Sequence, residues 1–555
     1  GGVMYNIFLT FKKGLAMLEI QRKYIDFVSF VKEKTQDIAA VDKNKQDELI
    51  KAIEGKRLIV PVVGGFSAGK SSLINQFLGK DILSTSITPE TAMATELIYA
   101  DSSYYEAVRS DGSSVRFELS QTESIKNQAA DFEFLRLYLN EPKLKQIEPL
   151  ILVDMPGFEA PLADHNKAIL SYLAKGVYFI IVISVEDGII KKSIIREIQN
   201  IMTVGKGFTF CLSKTNLRGD AELQSVKEAI EAQLQDEFDY QKELVLTSKN
   251  SAQEFQNILA GIKPEALFEK IYKDDLKNYY FQTESSINTQ ISVLKSSKED
   301  IAKILENLSL GVQEVKNARD GVLAKAESKY AGKNIDSIIN AVEGALLAQK
   351  ASLIGCMQLP NVFNSEINSI VRNIVIPQIT DEARDLHQDI MQGFNHALSK
   401  VNANLRDTGF SMGFGEILDS ALSSAKHNKP SEVLANLPIG FVKTTVVLTG
   451  KILSPLLQYL NQFLLKKELE KKFESEVVPS IKAKLKTDLP LIFNQYISQA
   501  TDAIALKFEE QIKQKEEEIA KSAKEQESKA SDIEQEIANL QNIKAQIAEL
   551  SNKTF

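Results

Sequence analysis

From Leu18 to about Lys51 apolar residues recur at helical spacing, with Ile20, Tyr24, Phe27, Val28 and Val31 separated by charges, which predicts an amphipathic helical arm. The pattern then changes. Leu58 to Val63 is a short β-branched run ending in glycines, and similar runs recur at 150–153, 177–183, 208–212 and 244–246, each followed by a stretch of helical character. Strands that are apolar on both faces and alternate with helices predict a mostly parallel α/β sheet over about 56–265. Within it, Tyr104 to Leu119 carries Asp111-Gly112 between two β-favouring segments and reads as an inserted hairpin.

Beyond Leu276 the strand signals vanish. Ile287, Ile291, Leu294, Ile301, Leu305 and Leu308 mark one long helix, and further helical stretches cover roughly 312–350 and 362–402. Ile504, Phe508, Ile512 and Ile519, then Ile533, Ile537, Leu540, Ile547 and Leu550, mark a long two-part helix or helical hairpin. No single amphipathic helix buries its stripe alone, so the arm and these helices are expected to close into one elongated all-α bundle. The expected organisation is a helical arm at 1–55, the α/β domain at 56–265, a helical trunk at 266–425, an apolar basic tip at 426–472 and returning trunk helices at 473–555.

Composition narrows the choice of function. A chain of 555 residues exceeds what one core supports, and 44% hydrophobic with 25% charged residues describes a folded, helix-rich protein. Lys and Arg number 66 against 74 Asp and Glu, a net charge of −8 that argues against a generic nucleic-acid binder. Two cysteines exclude a disulfide framework and fit a reducing cytoplasm, and the four histidines show no metal-ligand spacing. No uncharged apolar run reaches the roughly 18 residues a spanning helix needs.

Chemistry concentrates at Gly64-Gly65-Phe66-Ser67-Ala68-Gly69-Lys70-Ser71, which fits G-x-x-x-x-G-K-[ST] between a strand and the helical stretch from Ser72 to Leu78. The glycines let backbone N–H groups turn inward around a phosphate, and the helix N-terminus adds its dipole. Lys70 would reach the β and γ phosphates and Ser71 would ligate Mg²⁺. Asp154-Met155-Pro156-Gly157 follows the second apolar strand, where Asp154 can hold Mg²⁺ through water and Gly157 can offer its N–H to a γ-phosphate. Between them, the proline-broken stretch from Thr88 to Thr95 suits a mobile loop whose threonine closes on Mg²⁺. Thr91 is the first choice and Thr95 the second.

These residues carry a resemblance. GGFSAGKSS at 64–72 followed by Leu73-Ile74-Asn75, P-x-T-A-x-x-T at 89–95 and DMPG at 154–157 resemble the dynamin superfamily, most closely its bacterial dynamin-like members. The resemblance implies an α/β P-loop GTPase domain on an elongated helical trunk, GTP as substrate with Mg²⁺, a membrane-binding tip, self-association through the heads or with a related dynamin-like partner, and a cytoplasmic location peripheral to the membrane. It also implies that Ser67, Lys70 and Thr91 serve catalysis, Ser67 by neutralising transition-state charge, and that Lys214, Asn216 and Ser248 line the base.

Two positions depart from the family pattern. Where the base is ordinarily read by [NT]-K-x-D, this chain has Ser213-Lys214-Thr215-Asn216. An amide offers one acceptor and a donor that meets another donor on guanine, so guanine affinity is expected to be weak and xanthine to fit better; Asp220 is an alternative reader of the base. Phe66 stands where many dynamins have a glutamine that orients water, so hydrolysis is expected to be slow or dependent on head-to-head association.

Val433 to Leu465 is the most apolar stretch of the helical half, and the surrounding 426–472 holds eight lysines against three glutamates. Apolar surface ringed by lysine suits an acidic lipid surface, with Val446, Val447, Leu448, Lys443 and Lys451 as the contacting residues. Gly409 to Gly415, with two phenylalanines, could belong to the same tip. The alternative is a broken helical hairpin buried in the trunk. Three functions follow for comparison: a GTP-driven membrane-remodelling machine; a nucleotide-poor scaffold for protein partners; and, weakest, an ATPase acting on DNA, which lacks both an L-S-G-G signature and a basic face.

Overall fold

Nine strands of the described residues form one sheet: β1 (Leu58–Gly64), β2 (Thr95–Tyr99), β3 (Tyr104–Val108), β4 (Ser114–Phe117), β5 (Phe134–Leu139), β6 (Leu150–Asp154), β7 (Tyr178–Ser184), β8 (Gly207–Ser213) and β9 (Val245–Leu246). Their spatial order is β4-β3-β5-β2-β6-β1-β7-β8-β9. The computed structural model describes residues 17–65, 67–83, 93–157, 164–330, 332–407, 441–463, 468, 470–528 and 532–555, without the side chains of 164–167, 333, 441–444, 462 and 463. The apolar runs read from the sequence are the parallel core: β6-β1-β7-β8-β9 are hydrogen-bonded in parallel, and every residue of β7 is buried.

Two strands went unread in the sequence. β2 pairs antiparallel with β6 and parallel with β5, and β5 joins the hairpin β3-β4 to the sheet. The hairpin itself forms as expected, with Gly112 at φ +85 in its turn.

The helical arm is two helices rather than one, α1 (Glu19–Thr35) and α2 (Lys43–Gly55). Asp42 starts the second by accepting from the backbone N–H groups of Asn44 and Lys45 at 3.0 and 3.4 Å. Such a cap satisfies N–H groups that lack an intrahelical partner, and so fixes the break. Within the head follow α3 (Lys70–Leu78), α4 (Thr122–Asn127), α5 (Pro142–Gln146), α6 (Asp164–Lys175), α7 (Lys192–Thr203), α8 (Asp220–Phe238) and α9 (Ala252–Gly261).

The trunk comprises α10 (Pro264–Lys295), α11 (Lys298–Tyr330), α12 (Lys333–Ala348), α13 (Lys350–Cys356), α14 (Pro360–Ala397), α15 (Ser399–Asp407), α16 (Phe441–Phe463), α17 (Val478–Ser528) and α18 (Ile533–Thr554). α17, with 51 residues, is about 76 Å long at ~1.5 Å per residue. It runs antiparallel to α11, where Arg319 meets Asp502 at 2.7 Å. Near its far end it runs alongside α10, where buried Lys515 donates to Ser285, Thr289 and Glu518 at 2.9, 3.0 and 2.8 Å. α18 then doubles back, bringing Phe555 within 5.9 and 5.3 Å of the Tyr24 and Phe27 rings of α1. The two-part helix is therefore a hairpin.

The head docks on the trunk through polar and apolar contacts. Arg196 on α7 reaches Glu366 and Ser369 on α14 at 2.8 and 2.9 Å, and Arg372 pairs with Glu197, both side chains buried. A buried pair of this kind strands one charge when the other is removed. On the neighbouring face α6 packs against α16, where a Cβ placed on Gly450 would lie 3.8 Å from Leu170.

One trunk contact sets a pH dependence. His387 on α14 is buried against the Tyr496 hydroxyl of α17, and burial pushes its imidazole down to about 4. The unfolded chain takes up that proton near pH ~6.5, so between the two values the unfolded state binds more protons and stability falls as pH drops, by roughly 3 kcal/mol for the full interval. Denaturant midpoints between pH 7 and 4 should fall more steeply for the wild type than for His387→Gln; parallel curves would contradict this.

Candidate functional site

Gly64 closes β1 against β7 so tightly that a Cβ there would stand 2.0 Å from the Val182 carbonyl oxygen. The following loop is internally bonded: Gly65 O accepts from Ala68 N at 3.2 Å and from Lys70 Nζ at 2.9 Å. Gly69, at φ +81, takes the left-handed conformation that lets the loop enter α3, and Leu73 N returns to its carbonyl at 3.0 Å. The Ser213 hydroxyl at the end of β8 lies 2.5 Å from Ala68 O and 3.1 Å from Ile183 O, which ties the loop to two strand ends. Lys70 is buried, whereas Ser67 and Ser72 are exposed. Phe66 lies outside the described residues.

Beside this loop, β6 ends at Asp154, whose Oδ2 accepts from Ser71 Oγ at 2.7 Å. Its Oδ1 is buried and has no hydrogen-bond partner among the described residues. Burial pushes this carboxyl above the usual carboxylate range, against the opposing Ser71 bond and Lys70 charge. A carboxylate with one buried free oxygen next to a hydroxyl is an all-oxygen donor set, which fits a hydrated Mg²⁺ that completes its shell with phosphate oxygens and water. No group of three or more His, Cys, Asp or Glu among the described residues could hold a metal on side chains alone. Gly157 is buried three residues beyond Asp154.

The two threonines separate here. Thr91 lies outside the described residues. Thr95 is not in a loop: it is the first residue of β2, buried, and paired in register with Asp154. Its backbone is committed to the sheet, so Thr95 is corrected from loop residue to strand residue.

At the base end, Lys214 adopts φ +57 and its stem crosses Gly69, where a Cβ would lie 3.7 Å from Lys214 Cε. Its ammonium is 3.8 Å from Glu186. Asn216 sits exposed on the short turn Thr215–Leu217, which is anchored because the N–H and hydroxyl of Thr215 both donate to Thr247 O, at 3.1 and 3.0 Å. Asp220 opens α8. Sequence reasoning missed Gln76 on α3: its side chain donates to Ser248 O and accepts from Ser251 N, both at 2.9 Å, and so fixes the Ser248 loop to the phosphate-loop helix. That pairing spans 172 positions and has no local signature.

The apolar basic stretch takes a different place from the one expected. Residues 408–440, including 409–415, lie outside the described residues, as does the side chain of Lys443. The helical part, α16, packs against α14, α17 and α6. Leu448 is buried and Val446 half-buried, while Val447, 44% exposed, and Lys451 face outward. The apolar face of α16 is satisfied by protein in this arrangement, so Leu448 and Val446 do not present an open tip. No described helix is long and apolar enough to cross a membrane.

The model of the dynamin family matches residues 60–215. Dynamin-like protein 2 of Campylobacter jejuni is 29% identical over 188 residues, 33% of this chain and 30% of that protein. A probable transmembrane FZO-like chloroplastic GTPase of Arabidopsis thaliana is 28% identical over 172 residues, 31% of this chain and 16% of that protein. The chain thus spans a third or less of the length of these two relatives. Among solved structures, LeoA, a bacterial dynamin GTPase from ETEC, aligns over 96% of this chain and 97% of its own at 15% identity with a TM-score of 0.31. The matched segment includes the loop from Gly64 to Ser71, the strand end at Asp154 and the turn as far as Thr215, and is similar to the dynamin family.

Proposed function

We propose that the chain is a dynamin-like GTPase that couples GTP binding and slow hydrolysis to membrane binding and remodelling. The observation that carries this reading is the buried Asp154 oxygen, without a hydrogen-bond partner among the described residues, beside Ser71 and the Lys70 loop. Backbone N–H groups from Gly64 to Ser72 and the Lys70 ammonium would cradle the phosphates, Gly157 would donate to the γ-phosphate, and Lys214, Asn216 and Ser248 would flank the base. Asp154, Ser71 and Thr91 would hold Mg²⁺, which when bound neutralises phosphate charge. Ser67 would stabilise the developing charge on the transferred phosphoryl group, and Phe66, with no hydrogen-bonding group, leaves water poorly oriented. Head-to-head self-association would supply the missing order. A lipid surface would engage within 426–472, first through Val447 and Lys451. The second reading, a weakly nucleotide-binding scaffold, is favoured by the amide at Asn216.

GTP turnover measured against protein concentration, with and without acidic liposomes, tests the proposal. The rate per molecule should rise with concentration and rise again with liposomes. Fast turnover at nanomolar protein, or a flat rate under all conditions, would contradict it.

A further inference from the structure

The base end of the site is built from two stretches that follow neighbouring strands, the turn Thr215–Leu217 after β8 and Thr247-Ser248 after β9. One carbonyl joins them, since Thr247 O accepts from both the N–H and the hydroxyl of Thr215 at 3.1 and 3.0 Å. Thr247 is buried, and its own N–H donates to Leu212 O at 2.9 Å. On its other side the turn adjoins the phosphate loop, because the stem of Lys214 lies over Gly69, the residue that starts α3.

Gln76 of α3 holds the Ser248 loop from the opposite direction. Its amide spans the loop, with Nε2 donating to Ser248 O and Oε1 accepting from Ser251 N, both at 2.9 Å. Within the loop Ser248 N donates to Ser251 Oγ at 2.6 Å, and Ser251 is buried at the start of α9. Next to Gln76, the Phe77 ring meets Phe255 of α9 at 5.3 Å between centroids. That apolar contact sets how close the two helices lie, whereas hydrogen bonds are directional and set where the loop stands along α3. Among the described residues, no other side chain outside the loop hydrogen-bonds to Ser248 or Ser251. A closed circuit results: from Gly69 along α3 to Gln76, across to the Ser248 loop, through Thr247 O to Thr215, and back through Lys214 to Gly69.

We propose that Gln76 is a positioning residue for base selectivity: by clamping the Ser248 loop to α3 it keeps a bound base against the turn that carries Asn216. This deepens the reading of the site as a nucleoside triphosphate site and rests on it. A mismatched polar pair costs its full penalty only where the surrounding wall denies the base room to shift and water room to enter. With both Gln76 bonds removed the wall yields, the mismatch between Asn216 and guanine is relieved, and discrimination falls. The phosphates are held at the first turn of α3, nearly two helical turns before Gln76, so their share of the binding persists.

The test uses the full chain and measures affinity for xanthosine triphosphate (XTP) and for the slowly hydrolysed analogue GTPγS, each with and without Mg²⁺. Gln76→Leu and Gln76→Met fill the space and remove both hydrogen bonds. In the wild type the two affinities should differ. In the variants their ratio should move toward one by at least about threefold, with XTP weakened about tenfold and the dependence on Mg²⁺ retained. An unchanged ratio, whether or not both affinities fall, would overturn the proposal and leave the nucleotide reading standing. A ratio that falls together with the Mg²⁺ dependence would place the effect in the phosphate loop and overturn it too, as would wild-type protein that binds both nucleotides equally. Failure of both variants to fold, read from thermal unfolding, would make Gln76 a residue of stability and likewise overturn it. Wild-type protein that binds neither nucleotide would overturn both readings.

Discussion

Lys70→Ala is expected to lower affinity for GTP with Mg²⁺ by at least about 100-fold while the thermal midpoint stays within a few degrees. The ammonium is buried and already turned into the loop, where it donates to Gly65 O at 2.9 Å. A triphosphate entering the loop would meet this preplaced positive charge. Charge-assisted hydrogen bonds contribute about 1.5–3 kcal/mol each, and two of them exceed the roughly 2.8 kcal/mol that a 100-fold change requires. Removal costs the fold little, because Gly65 O retains Ala68 N as a donor and Gly69 still supplies the left-handed turn. Titration calorimetry alongside thermal unfolding checks both halves. Unchanged affinity would remove the Lys70 loop from the nucleotide site, and under the scaffold reading activity would survive the substitution.

Base selectivity should be reversed by Asn216→Asp. With guanine seated as proposed, Asn216 Oδ1 would accept from the ring N1–H, but its NH₂ would face the exocyclic amino group, and two donors cannot satisfy each other. Xanthine has a carbonyl at that position and accepts. An unmatched buried polar pair costs about 1–3 kcal/mol, so XTP should bind roughly 5- to 150-fold more tightly than GTP. A carboxylate at 216 accepts from both guanine donors and disfavours the xanthine carbonyl, so GTP should become the tighter ligand. The turn that presents residue 216 is set by Thr215 and Thr247 rather than by residue 216 itself, and the side chain is exposed, so the exchange leaves the backbone alone. Competition binding with GTP, XTP and ATP measures the order; a wild type that prefers GTP would mean the base is read by other groups.

Much of this architecture was legible in the chain because local patterns carry it. The runs at 58–63, 150–153, 177–183 and, apart from Thr209, 208–212 are apolar, as a strand covered on both faces requires, and all are parallel strands of the sheet. The turn from Gly64 to Ser71 was legible because its glycines and Lys70-Ser71 stand between an apolar strand and a helix, where the structure has them. β2 was not, because Thr95 and Glu96 look like the polar end of a loop, and only long-range bonds to Asp154, Val153 and Tyr172 make them a buried strand. β5 did carry a partial alternation, with Arg136 and Tyr138 between buried leucines, and that signal went unused. α16 shows a deeper limit. Apolarity states that a helix face leaves water; it does not state whether protein or lipid receives it. Leu448 is buried on a helix that packs against α14, α17 and α6, and no count of lysines around it decides that. The Tyr172–Glu96 and Gln76–Ser248 bonds are likewise invisible locally, because each joins ordinary residues far apart in the chain.

The central claim, a triphosphate held between the Lys70 loop and Asp154 with a divalent cation, is tested most directly by titrating the wild-type chain with GTPγS and XTP in the presence and absence of Mg²⁺. One nucleotide per chain should bind, at least about tenfold more weakly when Mg²⁺ is withheld. Binding indifferent to Mg²⁺, or no binding of either triphosphate at millimolar concentration, would contradict the account.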